Sequence, residues 1–335
     1  MRHFLTTENW SRDELQGLIN RARQFRESPQ GDALKGKSIA LVFFNPSLRT
    51  RTSFDLGAHQ LGGYAMVLDG RGQTWPVEIG EGAVMDGDPE EHVKEAARVL
   101  SSYVDLIAIR CFPAFKNWQT EREDPLIEAY AKYATVPVIN METIVHPCQE
   151  LAHMMALQDE LGDVSGREYL LTWVPHAKPL NTAVANSSLL IASKFGLNVR
   201  LLIPDEVYRL DPRYMGAAER FCADAGTRLT VYTDINAAYD GADMVYAKSW
   251  GALPFYGNWA DEAPYRAKGA GFMVDDAKMA LTNNAVVSHC LPMRRNVKIS
   301  DSVADSASFI GLKEAANRLH VQKAVMERLA GGEPS

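Results

Sequence analysis

The chain predicts an α/β protein built from two doubly wound, parallel-sheet domains. Short apolar runs alternate with longer amphipathic stretches along its whole length, the pattern of parallel sheets covered by helices. Its 335 residues suit about two domains of ordinary size. At 46% hydrophobic and 23% charged, the composition is globular rather than disordered.

Taken in order, Thr7 or Ser11 can cap an opening helix, with Glu14 following. Ser38 to Phe44 (SIALVFF) is a continuous apolar strand that Pro46 stops. Ser47 can then cap a helix carrying Phe54, Leu56 and Leu61. Ala65–Leu68 reads as the second strand, and residues 69–90 as a long polar loop, a length that usually marks function. A helix is expected near 90–101, with Glu90-Glu91-His92 as its solvated start. Strands at Asp105–Ile109 and Val136–Asn140 flank a helix near 121–133, and a helix from Pro147 to Leu161 should close the first domain. The second domain repeats the grammar, with strands near Tyr169–Trp173, Val199–Ile203, Leu229–Tyr232, Met244–Ala247 and Ala285–His289. A last helix over 313–330 places Ala316, Leu319, Val321, Ala324 and Val325 on one side.

Charge and cysteine usage narrow the function class. The net charge is 35 − 42 = −7, which disfavours nucleic acid or an anionic membrane as partner. The opening residues hold no apolar signal core and no transit-peptide pattern, and no run reaches membrane-span length, so a cytoplasmic location is expected. Cys111, Cys148, Cys222 and Cys290 show neither metal spacing nor a disulfide pattern, which fits a reducing compartment. The histidines offer no pair at ligand spacing, GxxxxGK[ST] is absent, and Gly70-Arg71-Gly72 lacks the third glycine of a dinucleotide fingerprint. Neither a metal nor an organic cofactor is expected.

The chemistry concentrates after the first strand, in Ser47-Leu48-Arg49-Thr50-Arg51-Thr52. Positive charge at a helix start opposes the macrodipole unless an anion sits there. Free backbone N–H groups, hydroxyls and forked guanidinium groups together make a site for a dianion such as phosphate. Arg110 follows directly on an apolar strand, where α/β proteins place ligands. His146-Pro147-Cys148-Gln149 and His289-Cys290-Leu291-Pro292 also lie at predicted strand ends. A histidine before proline is often only a helix-entry residue, but Glu142 and Gln149 flank His146. Cys290 reads as a buried, inert thiol, and His289 as structural.

The hexad and these two segments, in this order, resemble the aspartate/ornithine carbamoyltransferase family over nearly the whole chain. The resemblance implies that residues 1–148, completed by helix 313–331, bind carbamoyl phosphate, that 149–312 bind the acceptor amine, and that two helices bridge the domains around a cleft. It gives Ser47, Leu48, Arg49 and Thr50 to the phosphate, with Arg51 secondary. Thr50, Arg110 and His146 go to the carbamoyl group, and Gln149 with the Cys290 and Leu291 carbonyls to its amide. Pro147 and Cys148 complete that segment, and Arg318 becomes a phosphate contact rather than a solvated surface charge. Trp75, in the long loop, would serve a neighbouring subunit of a homotrimer, unless it is a local anchor.

The ornithine-type Ser-Met-Gly loop is replaced here by Ala247-Lys248-Ser249-Trp250-Gly251-Ala252-Leu253-Pro254. Lys248 would repel a free α-ammonium, whereas an acylated nitrogen is neutral and leaves a carboxylate to pair with. With the Pro175–Pro179 loop, this resembles the family's acetylornithine-type branch, which places the acceptor near Glu142, Lys248 and Arg294 and carries a backbone knot. Glu90 falls where that branch carries glutamate and the succinyl branch proline; a carboxylate there would repel a succinyl group. Lys298 matches a lysine that this branch carboxylates, the alternative being an ordinary surface lysine. The implied partners are carbamoyl phosphate and N-acetyl-L-ornithine. Succinylornithine, free ornithine and a non-catalytic carbamoyl-phosphate-binding protein remain alternatives.

Overall fold

The computed structural model describes residues 1–72 and 75–331. They form two compact units: Met1–Ala114, Gln119–Cys148 and Asn317 onward in the first, Phe115–Trp118 and Gln149–Ala316 in the second.

In the first unit, α1 (Arg12–Glu27) is capped by Ser11 rather than Thr7. Ser11 Oγ accepts the Glu14 N–H at 3.1 Å, and Glu14 Oε2 accepts the Ser11 N–H at 2.9 Å, a reciprocal box that satisfies two orphan donors. β1 (Ser38–Phe43), α2 (Arg49–Gln60) and β2 (Tyr64–Asp69) follow. The helix expected from residue 90 starts later. Val77–Glu78 (β3) and Glu91–His92 (β4) instead pair as a short parallel ladder, and α3 (Val93–Tyr103) begins after it. His92 is the cap, its Nδ1 accepting the Lys94 N–H at 3.1 Å while Nε2 sits 3.0 Å from the Gly80 carbonyl. Glu91-His92 is therefore a half-buried strand, not a solvated helix start.

β5 (Leu106–Arg110), α4 (Trp118–Glu121), α5 (Pro125–Tyr133) and β6 (Val138–Glu142) complete the sheet, in the order β2-β1-β5-β6 with every pairing parallel. The helix expected near 121 starts at Pro125, a residue preorganised for a first turn. The strand ends at Glu142, not Asn140. Ala40, Val42, Ile107, Ile109 and Val138 of the sheet pack with Val93, Ala97, Ile127 and Tyr130 of α3 and α5.

α6 (Pro147–Leu161) begins in the first unit and continues into the second. There β7 (Glu168–Trp173), α7 (Ala183–Lys194), β8 (Asn198–Leu202), α8 (Pro212–Ala225), β9 (Leu229–Tyr232), α9 (Ile235–Tyr239) and β10 (Met244–Lys248) alternate. α10 (Trp259–Ala267), α11 (Asp276–Met279), β11 (Val286–Ser288) and α12 (Asp301–Ala304) follow. The sheet runs β11-β10-β7-β8-β9, again all parallel. α7 is buried from Ala183 to Ser193, which explains its all-round apolar and small-residue sequence. The short Phe115–Trp118 segment belongs here because Trp118 Nε1 donates to Asp211 Oδ2 at 2.6 Å and both aromatics pack against Tyr256.

α13 (Gly311–Leu329) spans both units. Its expected apolar face is only partly right: Ala316 is exposed and Leu319 half-buried. The buried stripe runs instead through Glu314, Asn317, Arg318, Val321, Gln322 and Val325, so polar groups with partners to satisfy share it. Among the described residues, no helix is long and apolar enough to cross a membrane.

Candidate active site

Each sheet reverses its winding once, and ligand crevices in α/β proteins open at the carboxyl ends of the strands flanking that point. In the first unit the reversal lies between β1 and β5, whose ends pair Phe43 with Arg110. The arginine-rich hexad leaves β1 here. Ser47 Oγ accepts the Thr50 N–H at 3.1 Å, although Leu48 is the residue at the cap position. Leu48 is 79% exposed. A cavity of about 630 Å³ opens beside Ser47, Leu48 and Arg51 at the ends of β1 and β2.

A register shift between β5 and β6 places Arg110 opposite Glu142. Arg110 donates to the Glu142 carboxylate and lies over the Phe112 ring, 4.6 Å from its centroid. His146 Nε2 is 3.4 Å from the same Glu142 oxygen. Arg318 Nη2 donates to Thr50 Oγ1 at 2.6 Å, so α13 reaches the start of α2.

Arg318 is only 3% exposed, which excludes a solvated surface charge. Burial lowers its pKa to about 10; Glu142 and Cys148 oppose this, while Arg110 and Arg49 add to it. Arg49, Arg110 and Arg318 thus gather positive charge around the carboxylate of Glu142. The Nε atoms of all three arginines are buried and have no hydrogen-bond acceptor. Each such orphan donor costs roughly 1–3 kcal/mol, a cost that an oxyanion accepting from them would relieve.

In the second unit the reversal lies between β7 and β10, whose ends pair Trp173 with Lys248. Lys248 Nζ is 3.4 Å from Cys290 Sγ, a contact that gives the buried thiol a cationic neighbour. Lys298 is buried, and its Nζ meets His289 Nε2 at 3.2 Å. Burial lowers the His176 pKa against the opposing hydrogen bond with the Lys178 carbonyl, and nearby Lys298, the exposed Arg294 and Lys248 lower it further. Lys248 and Arg294 suit an anionic acceptor group. Leu291, at φ +53°, holds a left-handed backbone that costs of order 1–3 kcal/mol, strain that tends to persist at functional sites.

Gln149, at the second-unit end of the α6 boundary, donates through Nε2 to Glu314. Glu314 is fully buried and also accepts from His153, Tyr246 and Ser288. Among the described residues, no group of three or more His, Cys, Asp or Glu side chains could hold a metal ion.

Sequence profiles of two domains match the chain: the aspartate/ornithine carbamoyltransferase carbamoyl-P binding domain over residues 2–159, and the Asp/Orn binding domain over residues 178–329. The chain belongs to the aspartate/ornithine carbamoyltransferase family. Within that family it is 59% identical over 333 residues to the N-acetylornithine carbamoyltransferase of Xanthomonas campestris pv. campestris, covering 99% of this chain and 98% of that one. It is 34% identical over 299 residues to the N-succinylornithine carbamoyltransferase of Bacteroides thetaiotaomicron, covering 89% of each. The crystal structure of an acetylornithine transcarbamylase complexed with acetylcitrulline superposes with a TM-score of 0.98 at 59% identity, over 99% of this chain and all of that one.

For this carbamoyltransferase the structure gathers Thr50, Arg110, Glu142, His146 and Arg318 in the first unit, and Lys248, Cys290, Arg294 and Lys298 in the second. Trp75 is 56% exposed, and its indole N–H donates to Glu91 of its own chain at 2.9 Å, a local anchor that leaves much of the ring open. Glu90 is exposed just before β4, its N–H donating to the Pro76 carbonyl at 3.3 Å. Sequence reasoning missed Glu314 and the contact of His289 with Lys298. One signal was available: Glu314 sits four residues before Arg318 and seven before Val321, a charge on a helix face predicted to be buried.

Proposed function

We infer that the chain transfers the carbamoyl group of carbamoyl phosphate to the side-chain amine of N-acetyl-L-ornithine, giving N-acetyl-L-citrulline and phosphate in arginine biosynthesis. The observation that carries this reading is the trio of buried, acceptor-less guanidinium Nε atoms in Arg49, Arg110 and Arg318. Ser47, the Leu48 N–H, Arg49, Thr50 and Arg318 hold the phosphate. Thr50, Arg110 and His146 face the carbamoyl oxygen; Gln149 and the carbonyls of Cys290 and Leu291 take the carbamoyl N–H groups. Pro147 and Cys148 start α6 and set the position of Gln149.

The amine lone pair attacks the carbamoyl carbon, and the carbonyl oxygen gains charge that Arg110, His146 and Thr50 stabilise. The C–O bond to phosphorus-bound oxygen then breaks, and phosphate leaves with the bonding pair. The amine proton passes to the departing phosphate. Positioning and electrostatics supply the rate, since each donor aimed at the oxyanion contributes ~3–4 kcal/mol. Glu142, Lys248 and Arg294 bind the acceptor, whose neutral acyl nitrogen escapes the repulsion that Lys248 would exert on an ammonium.

A homotrimer in the cytoplasm completes the reading, with the loop of Trp75 and Glu90 serving a neighbouring subunit. A citrulline-product assay with carbamoyl phosphate and the acetyl, succinyl and free forms of ornithine tests the function. Turnover of the acetyl form above the others is expected; preference for free ornithine would refute the Lys248 argument. Light scattering tests the trimer.

A further inference from the structure

We propose that Glu314 is a positioning residue that fixes which end of the Gln149 amide faces the carbamoyl group, and so makes the site select a ligand with N–H donors. The inference rests on the reading of Gln149 as the carbamoyl-amide contact. An amide has a donor end and an acceptor end, and alone it can present either. A carboxylate only accepts, so beside Glu314 the Gln149 side chain must turn Nε2 inward, as it does. Oε1 is thereby committed to the opposite direction, as an acceptor.

The carboxylate itself cannot turn away. Oε1 of Glu314 accepts from Tyr246 at 2.8 Å as well as from Gln149, and Oε2 accepts from Ser288 at 2.5 Å and faces His153 Nδ1 at 2.8 Å. His153 is fixed in turn, its Nε2 lying 2.9 Å from the Tyr169 hydroxyl. A carboxylate only accepts, so Nδ1–H donates to Glu314, while Nε2 stands against the Tyr169 hydroxyl. Burial alone would push the Glu314 carboxyl up, yet His153, Ser288 and Tyr246 outweigh it and hold the group ionised. Four donors on two oxygens, drawn from α6, β10 and β11, make a rigid reference for one amide.

Acetyl phosphate separates this role from general packing. It matches carbamoyl phosphate in charge and nearly in shape, but carries a methyl group where carbamoyl phosphate carries NH2. A site built around an acceptor for N–H should discriminate strongly between the two. The test measures KM for carbamoyl phosphate and the inhibition constant of acetyl phosphate in the full chain and in Glu314→Gln, whose amide lets Gln149 flip. The expected result is a loss of about tenfold or more in carbamoyl phosphate preference, with acetyl phosphate inhibition changed less than about threefold. Combined with Gln149→Ala, the losses should not add, because both act on one contact.

Should Glu314→Gln fail to fold, His153→Gln/Glu314→Gln removes the carboxylate together with the ring facing it, and the same loss is expected. Retained discrimination in a folded variant overturns the proposal, as does equal weakening of both ligands. Absence of carbamoyl transfer in the unmodified chain would instead refute the functional reading.

Discussion

Lys298 Nζ lies 3.2 Å from His289 Nε2, and the other side of that ring fixes the direction of the contact. The Leu291 N–H donates to His289 Nδ1 at 2.9 Å, so the neutral ring carries its proton on Nε2. That N–H needs an acceptor, which Nζ can be only as a neutral amine. Burial, reinforced by Lys248 and Arg294 against the opposing effect of Cys290, lowers the Lys298 pKa to about 7 from the usual 10.5. Lys298 is thus no ordinary surface lysine.

The first prediction is that Lys298 takes up carbon dioxide. The neutral amine attacks the carbon of CO2, a proton leaves to solvent, and the carbamate oxygen accepts from His289. At fixed dissolved CO2, occupancy should rise as pH passes upward through about 7, where the neutral amine becomes the major form. The unmodified chain should also gain stability between pH 7 and 10.5, because only the unfolded state still binds the proton there. Carbon-13 NMR with labelled bicarbonate reads the carbamate directly. A signal that persists in Lys298→Arg, or none in either protein, refutes it.

The arginine trio makes a second prediction with opposite signs for stability and function. Arg49→Leu should lower carbamoyl transfer on the order of hundreds-fold, through loss of a phosphate clamp. Arg318→Met removes a buried cation from among Arg49 and Arg110, so the free protein should melt at the same temperature or higher while losing the stabilisation that inorganic phosphate gives the parent chain. A melting scan with and without phosphate decides this. Equal stabilisation of both proteins would mean that Arg318 does not touch the anion.

Much of this was legible in the sequence, for identifiable reasons. β1 is a continuous apolar run stopped by Pro46, and the hexad after it violates the usual charge preference of a helix start, so both announced themselves. The β3–β4 ladder did not, because two-residue strands leave no periodicity, and His92 is an uncommon cap. Arg110 was placed at a strand end, but its pairing with Glu142 depends on a register shift that no spacing reveals. Glu314 and His153 were hidden because burial of a polar residue depends on partners far along the chain: 161 residues separate them.

Glu90 carries the third prediction. Its carboxylate is exposed, so it is free to meet an acyl group delivered beside it. Glu90→Pro should raise activity with N-succinylornithine relative to N-acetylornithine, because it removes a like charge and costs only one marginal 3.3 Å backbone hydrogen bond to Pro76. The substrate panel run on both proteins measures the ratio. An unchanged acetyl-over-succinyl preference would show that another residue sets it.

The last prediction couples packing to the acceptor site through Gly269. A Cβ placed there would lie 2.1 Å from Trp173 Cζ3, far inside contact distance, and Trp173 is fully buried with its indole N–H donating to the Trp250 carbonyl at 3.0 Å. Trp173 pairs in register with Lys248 at the end of β10, so a ring displaced by Gly269→Ala would disturb both the Trp250 loop and the lysine. Overpacking of this kind costs typically about 1–3 kcal/mol. A lowered melting temperature is therefore expected together with a raised KM for N-acetylornithine, while KM for carbamoyl phosphate stays within about twofold, since the residues proposed to hold its phosphate lie in the other unit. A loss confined to stability, with both KM values unchanged, would show that Trp173 supports the sheet without positioning the acceptor.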